Sequence, residues 1–377
     1  MTTGPVATHT APHRPWSHQQ RRNVFWPVAG LVAATMCALV VVGLGTGDLP
    51  TSTVATATVL AMIPVVLVVG VFLWLDRWEP EPGRMLLAAF VWGAGVATLG
   101  SVVVNSVVAR AYDDFTSAVV SAPITEEALK GAFVVGVLWR SRRELDGTVD
   151  GIVYAGLVAA GFAFVENILY LGRAFDIDTM DGYAVFVVRG LVTPFAHPLF
   201  TVFIGVAVGV AANRGRTARL LLPVLGYLVA VALHALWNAS ALWGDGDDFV
   251  ALYLLFMVPV FAGMAGLALW QRHRERRIIT AQLARMVQAG WLTWYEAELL
   301  ATLRGRRRWV KSVRAAHGRQ AARAVRSYQV ALTELAFFLH RYDGEPAGAR
   351  ALEWWGELAE SVSRARAGVA ASTGASP

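Results

Sequence analysis

Two adjacent glutamates and a lysine, in Glu126-Glu127-Ala128-Leu129-Lys130, interrupt an otherwise apolar run. The next three apolar runs carry Glu166 with Asn167 in GFAFVENILY, Arg189 and then His197 in TPFAHPLF, and His234 with Asn238 in LHALWN. Ionisable groups inside apolar spans are costly and tend to mark function. Their types suit hydrolysis: a carboxylate can take a proton from water, and His or Asn donors can hold an oxyanion. Spacing gives direction. His234 and Asn238 stand four apart and share a helix face. Glu126 and Lys130 are also four apart and can pair. Glu127 points about 100° away from Glu126, so one helix offers carboxylates to two neighbours. Pro123 frees a carbonyl just before the pair, and unwinding there is tolerated beside a polar cavity. Each residue also has a structural reading: Glu126–Lys130 as a neutralised bridge, His197 as a packing histidine, Asn238 as interhelical glue, Arg189 as counter-ion.

The elements that must hold these groups are membrane helices. The chain is 56% hydrophobic and 16% charged over 377 residues, with mean hydropathy +0.49, too apolar for a soluble domain. The pattern predicts an all-α polytopic membrane protein of about eight spans, near 24–45, 54–75, 85–108, 117–139, 150–172, 184–211, 219–243 and 249–271. Loops with arginine alternate with loops nearly without: Arg77 and Arg84, then Arg140, Arg142 and Arg143, then Arg214, Arg216 and Arg219. The positive-inside rule then puts both termini in the cytoplasm of a multi-pass cell-membrane protein. On that topology Glu126 and His234 lie roughly 13 Å from the outer face, Glu166 roughly 9 Å and His197 roughly 20 Å or less, so the groups share the outer half of the bilayer. GVAVG, Gly205 to Gly209, suggests a close helix contact. The single cysteine, Cys37, excludes an intramolecular disulfide or a cysteine metal cluster.

The flanks differ. Residues 1–23 read as a disordered cytoplasmic arm, 24–271 as the transmembrane domain, 272–366 as an Arg-rich amphipathic helical cytosolic region, and 367–377 as a disordered tail. Residues 272–377 carry 18 Arg/Lys against 9 Asp/Glu. Next to a bilayer this favours anionic lipid as partner, and nucleic acid is not expected.

In order along the chain, EExxK at 126–130, FxxxE from Phe162 to Glu166, then His197, then His234 with Asn238, and the WEPEP loop after the second span resemble the PrsW family of intramembrane proteases. These are relatives of the CAAX prenyl endopeptidases and Abi proteins. The resemblance covers about 60–245. The CAAX enzymes carry EExxxR and FxxxH where this chain has Lys130 and Glu166, which favours PrsW. The resemblance implies a membrane-anchored protein substrate, an anti-sigma factor, cut on its extracytoplasmic side.

The sequence shows neither a GxSxG elbow nor an HExxH helix, so a glutamate general base is the economical mechanism. Glu126 is expected to activate water, with His234 and Asn238 holding the oxyanion. Glu166 and His197 would orient water or shuttle a proton, and Glu127 with Lys130 would set the charge of Glu126. No cofactor is expected. If a metal is present, Glu126, Glu166, His197 and His234 make a zinc set. The other functional classes are a proton-coupled transporter, for which intramembrane Glu and His also serve, and a non-enzymatic scaffold. Alanine at Glu126 separates them.

Overall fold

The computed structural model describes residues 25–140, 145, 147–243, 246–342 and 349–374. The expected arm, 1–23, and Arg142 and Arg143 lie outside these residues. Every element among them is helical. We number the helices α1 (Phe25–Thr46), α2 (Thr51–Leu75), α3 (Gly83–Ala111), α4 (Ala122–Arg140), α5 (Thr148–Ile177), α6 (Thr179–Ala212), α7 (Arg216–Trp243), α8 (Gly246–Gln288), α9 (Trp294–Leu300), α10 (Leu303–Arg341) and α11 (Ala349–Thr373).

Seven of them, α1–α3 and α5–α8, are long and apolar enough to cross a membrane. The remaining expected span, α4, is helical too, but Glu126, Glu127 and Lys130 break its apolarity. It packs against α3, α5, α6 and α7, which cover its charges. The outward faces of α2, α7 and α8 present residues such as Val59, Leu225 and Leu255, as a lipid-facing surface requires.

Helix α5 is the axis of the domain, buried along most of its length among α2, α3 and α6. Small residues permit this. A Cβ on Gly151 would fall 2.0 Å from the Gly205 carbonyl oxygen, and one on Gly209 would fall 2.4 Å from that of Gly147. The GVAVG stretch is therefore a backbone-to-backbone crossing of α5 and α6.

Helix α3 contains a π-helical turn at Gly93–Ala97, α8 one at Tyr253–Met257, and one at Ser117–Ser121 leads into α4. The helix does not unwind at Pro123 as expected. Pro123 lacks the N–H that would bond the carbonyl at 119, and the wider turn just upstream absorbs the defect. Helix α6 breaks outright: a π-helical turn at Val187–Val192 is followed by non-helical Thr193–Phe195 before the helix resumes at Ala196.

The end of α8 and helices α9–α11 form a second core around Leu283, Leu332, Leu335 and Phe338. Trp78, from the loop after α2, inserts into that core and is 4% exposed. Arg306 covers it, 5.2 Å from the ring, and donates to the Leu300 carbonyl. Burial lowers the Arg306 pKa to about 10. Helix α10 turns at Gly318, whose φ of 84° suits glycine. Helix α11 runs to Thr373, past residue 367, where a disordered tail is expected.

Candidate active site

Four consecutive helices bring the expected residues together. From α4, Glu127 and Lys130 are fully buried and Glu126 is 5% exposed. Lys130 Nζ lies 2.7 Å from Glu127 Oε1 and 3.4 Å from Glu126 Oε2. The tight partner is thus the glutamate three residues before, not the one four before. Phe162 of α5 caps the ammonium, with its ring centroid 4.1 Å away.

Glu127 is saturated. Its Oε1 also faces His234 Nδ1 at 3.0 Å, and its Oε2 accepts the Thr201 hydroxyl at 2.8 Å. Because a carboxylate only accepts, Nδ1 of neutral His234 carries the proton and Nε2 offers a lone pair. That Nε2 lies 3.9 Å from Glu126 Oε2.

His197 opens the second half of α6. Its Nδ1 lies 3.2 Å from Lys130 Nζ, and its Nε2 lies 2.7 Å from Glu166 Oε2. An ammonium only donates, so Nδ1 accepts and Nε2–H donates to Glu166. Arg189 binds the same Glu166 oxygen and donates to Asn167 at 2.8 Å, which is the counter-ion role expected of it. The network is therefore continuous from Arg189 through Glu166, His197, Lys130 and Glu127 to His234.

One expected member stands apart. Asn238 donates to the Ala118 carbonyl at 2.8 Å, which ties α7 to the π-helical turn before α4. The donors expected at an oxyanion are committed elsewhere: His234 Nδ1–H to Glu127 and the Asn238 amide to backbone. Thr201, Phe162 and Arg189 complete the network. Arg189 stood out in the sequence because its charge lies inside a span, and Phe162 as the first residue of FxxxE; a threonine in an apolar helix carries no such signal.

Glu126 Oε2 is buried and receives no hydrogen bond among the described residues. Ligand atoms of Glu126, His197 and His234 all lie within 4.8 Å of one another, whereas Glu166 is engaged by Arg189 and His197. A cavity of about 370 Å³ reaches His197 between α5, α6 and α7, lined also by Asn167, Arg189, Trp237 and Ser240.

Residues 81–264, which run from just before α3 into the first half of α8, match a family model described as PrsW family intramembrane metalloprotease. Three curated relatives named protease PrsW are similar to the chain. That of Geobacillus kaustophilus is 29% identical over 51% of this chain and 83% of its own. The Bacillus subtilis protein is 28% identical over 46% and 78%, and the Oceanobacillus iheyensis protein 27% over 44% and 74%. No solved structure matches. With a family model laid over all four charged helices, residues 81–264 of this chain match the PrsW family of intramembrane proteases.

Proposed function

We propose that the protein hydrolyses a membrane-anchored protein near its extracytoplasmic boundary, with Glu126 activating the water. The observation that carries this is the Glu126 oxygen: buried, without a hydrogen bond among the described residues, and flanked by two histidines and a lysine. Water adds through its oxygen to the scissile carbonyl carbon while Glu126 takes its proton. The C–N bond then breaks and the proton passes to the leaving amine. Lys130, held by Glu127, supplies positive charge beside the developing oxyanion. Glu166 fixes His197 and Glu127 fixes His234, as second carboxylates orient imidazoles. Asn238 acts by positioning the entry to α4. The arginines of loops 76–82 and 213–215, with Arg216 and Arg219, support placing both termini in the cytoplasm, and the charged groups then lie in the outer half of the membrane. The resemblance makes anti-sigma factors the substrate class to examine first.

A metal-dependent form of this reading is favoured by the donor set. Glu126 Oε2 and the His234 Nε2 lone pair face each other at 3.9 Å, and His197 would complete three ligands by releasing its Nδ1 from Lys130. Glu126, His197 and His234 would hold the ion, and a divalent ion there would polarise a carbonyl and lower the pKa of water. Metal content of the purified protein and of His234→Ala tests that form.

Membrane proteomics tests the function. Fragments shed to the extracytoplasmic side are expected from wild type and absent with Glu126→Ala. The same fragments from both would overturn the proposal.

A further inference from the structure

The break in α6 separates two cavities. One is the cavity that reaches His197. On the other side lies an apolar pocket of about 90 Å³, walled by Leu199, Phe200, Trp237, Tyr253, Met257 and Phe261. Thr193, Pro194, Ala196 and Trp237 border both. Phe200 forms the wall towards the site, its ring stacked on His234 at 4.9 Å and 22°.

The backbone between the cavities is not closed on itself. Thr193 turns its N–H and its hydroxyl back to the Val188 carbonyl, at 2.8 Å each. Residue 198 is proline, so the Pro194 carbonyl cannot receive the i+4 helical hydrogen bond. Tyr253 donates to the Val192 carbonyl at 2.8 Å, which anchors α8 against the break and closes the pocket floor. Irregular backbone at membrane depth is tolerated where it lines a cavity, and an open carbonyl there is an acceptor for an extended peptide.

We propose that this pocket is a substrate side-chain subsite, taking an aliphatic residue that flanks the scissile bond while the substrate backbone runs along Thr193–Phe195. The proposal rests on the hydrolase reading above. In an extended peptide successive side chains point to opposite faces. One side chain can enter the pocket while the neighbouring peptide group faces His197. The volume is about three times a water's share of the liquid, about 30 Å³ each, which suits a valine or leucine side chain. Tryptophan is too large, and an aspartate would lose its water among carbon walls.

The test uses the full chain in lipid nanodiscs and single-span peptides that differ only at one residue flanking the cut, as Gly, Leu, Trp or Asp. Val258 and Phe261 of α8 both line the pocket, and two variants change it in opposite directions: Val258→Phe narrows it and Phe261→Ala widens it. Wild type is expected to cleave the Leu peptide at least about tenfold faster than the Trp or Asp peptides, the scale of size discrimination in apolar pockets. Val258→Phe should shift the preference towards Gly, and Phe261→Ala towards Trp. A variant that merely folds poorly lowers all rates without that opposite shift. An unchanged ranking in both variants, with cleavage still dependent on Glu126, overturns the subsite and leaves the hydrolase reading standing. Absence of Glu126-dependent cleavage of every peptide overturns the hydrolase reading, and the subsite with it.

Discussion

Replacing Lys130 by methionine keeps the volume of a fully buried side chain and removes the charge that two carboxylates share. The ammonium stands 2.7 Å from Glu127 and 3.4 Å from Glu126. At an effective dielectric of about 20 those separations correspond to about 6 and about 5 kcal/mol of attraction. Desolvation offsets much of this, but removing one partner of a buried pair leaves the other stranded and costs about 3–5 kcal/mol. Here two glutamates are stranded together, so Lys130→Met should fall at the upper end. Glu127→Gln in the same chain removes one of them and should restore about 2–3 kcal/mol, although activity stays lost. The assay is unfolding of the detergent-solubilised protein in rising SDS, followed by circular dichroism, for wild type, both single variants and the double variant. Independent sites add within about 0.5 kcal/mol. A Lys130→Met loss under about 1 kcal/mol, or additive losses in the double variant, would refute the network as drawn.

Other consequences reach beyond the site. Burial, opposed by a hydrogen bond from the Glu81 N–H, raises Asp76 just below α2 to a pKa of about 7. The folded state therefore holds this proton more tightly than the unfolded chain, and stability should fall as pH rises from about 4 through 7. Asp76→Asn should flatten that slope and stabilise the protein at pH 8, by at most about 4 kcal/mol; thermal melts across pH read this, and an unchanged slope would count against it. Trp78→Ala should cost about 3–5 kcal/mol of packing and loosen the C-terminal bundle, seen as faster proteolysis between 272 and 303; unchanged proteolysis would mean that Trp78 does not hold the bundle. Gly151→Val should force α5 from α6 at about 1–3 kcal/mol or more and displace Glu166 from His197, whereas Gly136→Ala, with open space around it, should be silent in the same melt.

The helices and the grouping of charges were legible because apolar length and intramembrane charge are strong signals. Which glutamate holds Lys130 was not. Positions three and four apart are near-equal neighbours on a helix, and the choice was made by Thr201 and His234, which lie 74 and 107 residues from Glu127 in the chain. Which of its two readings Asn238 follows was not legible for the same reason: its position on the His234 face was readable, but its partner across the helices, the Ala118 carbonyl, was not. The π-helical turns depend on defects in the hydrogen-bond ladder, with proline a cue near Pro123, Pro194 and Pro259 and no such cue at Gly93–Ala97. Nothing in the loop after the second span marks Trp78 as a core residue. Its burial comes from a bundle more than 200 residues downstream. The end of α11 was missed because its alanines and serines read as disorder although they are compatible with helix.

The central claim is that Glu126 drives hydrolysis in the outer half of the membrane. Its most direct test is mass spectrometry of the products when the purified full chain meets a single-span substrate of fixed orientation in nanodiscs. Wild type should make one cut near the extracytoplasmic end, and Glu126→Gln, shown by circular dichroism to be folded, should make none. Cleavage by Glu126→Gln at the wild-type rate, or a cut at the cytoplasmic end of the span, would contradict it.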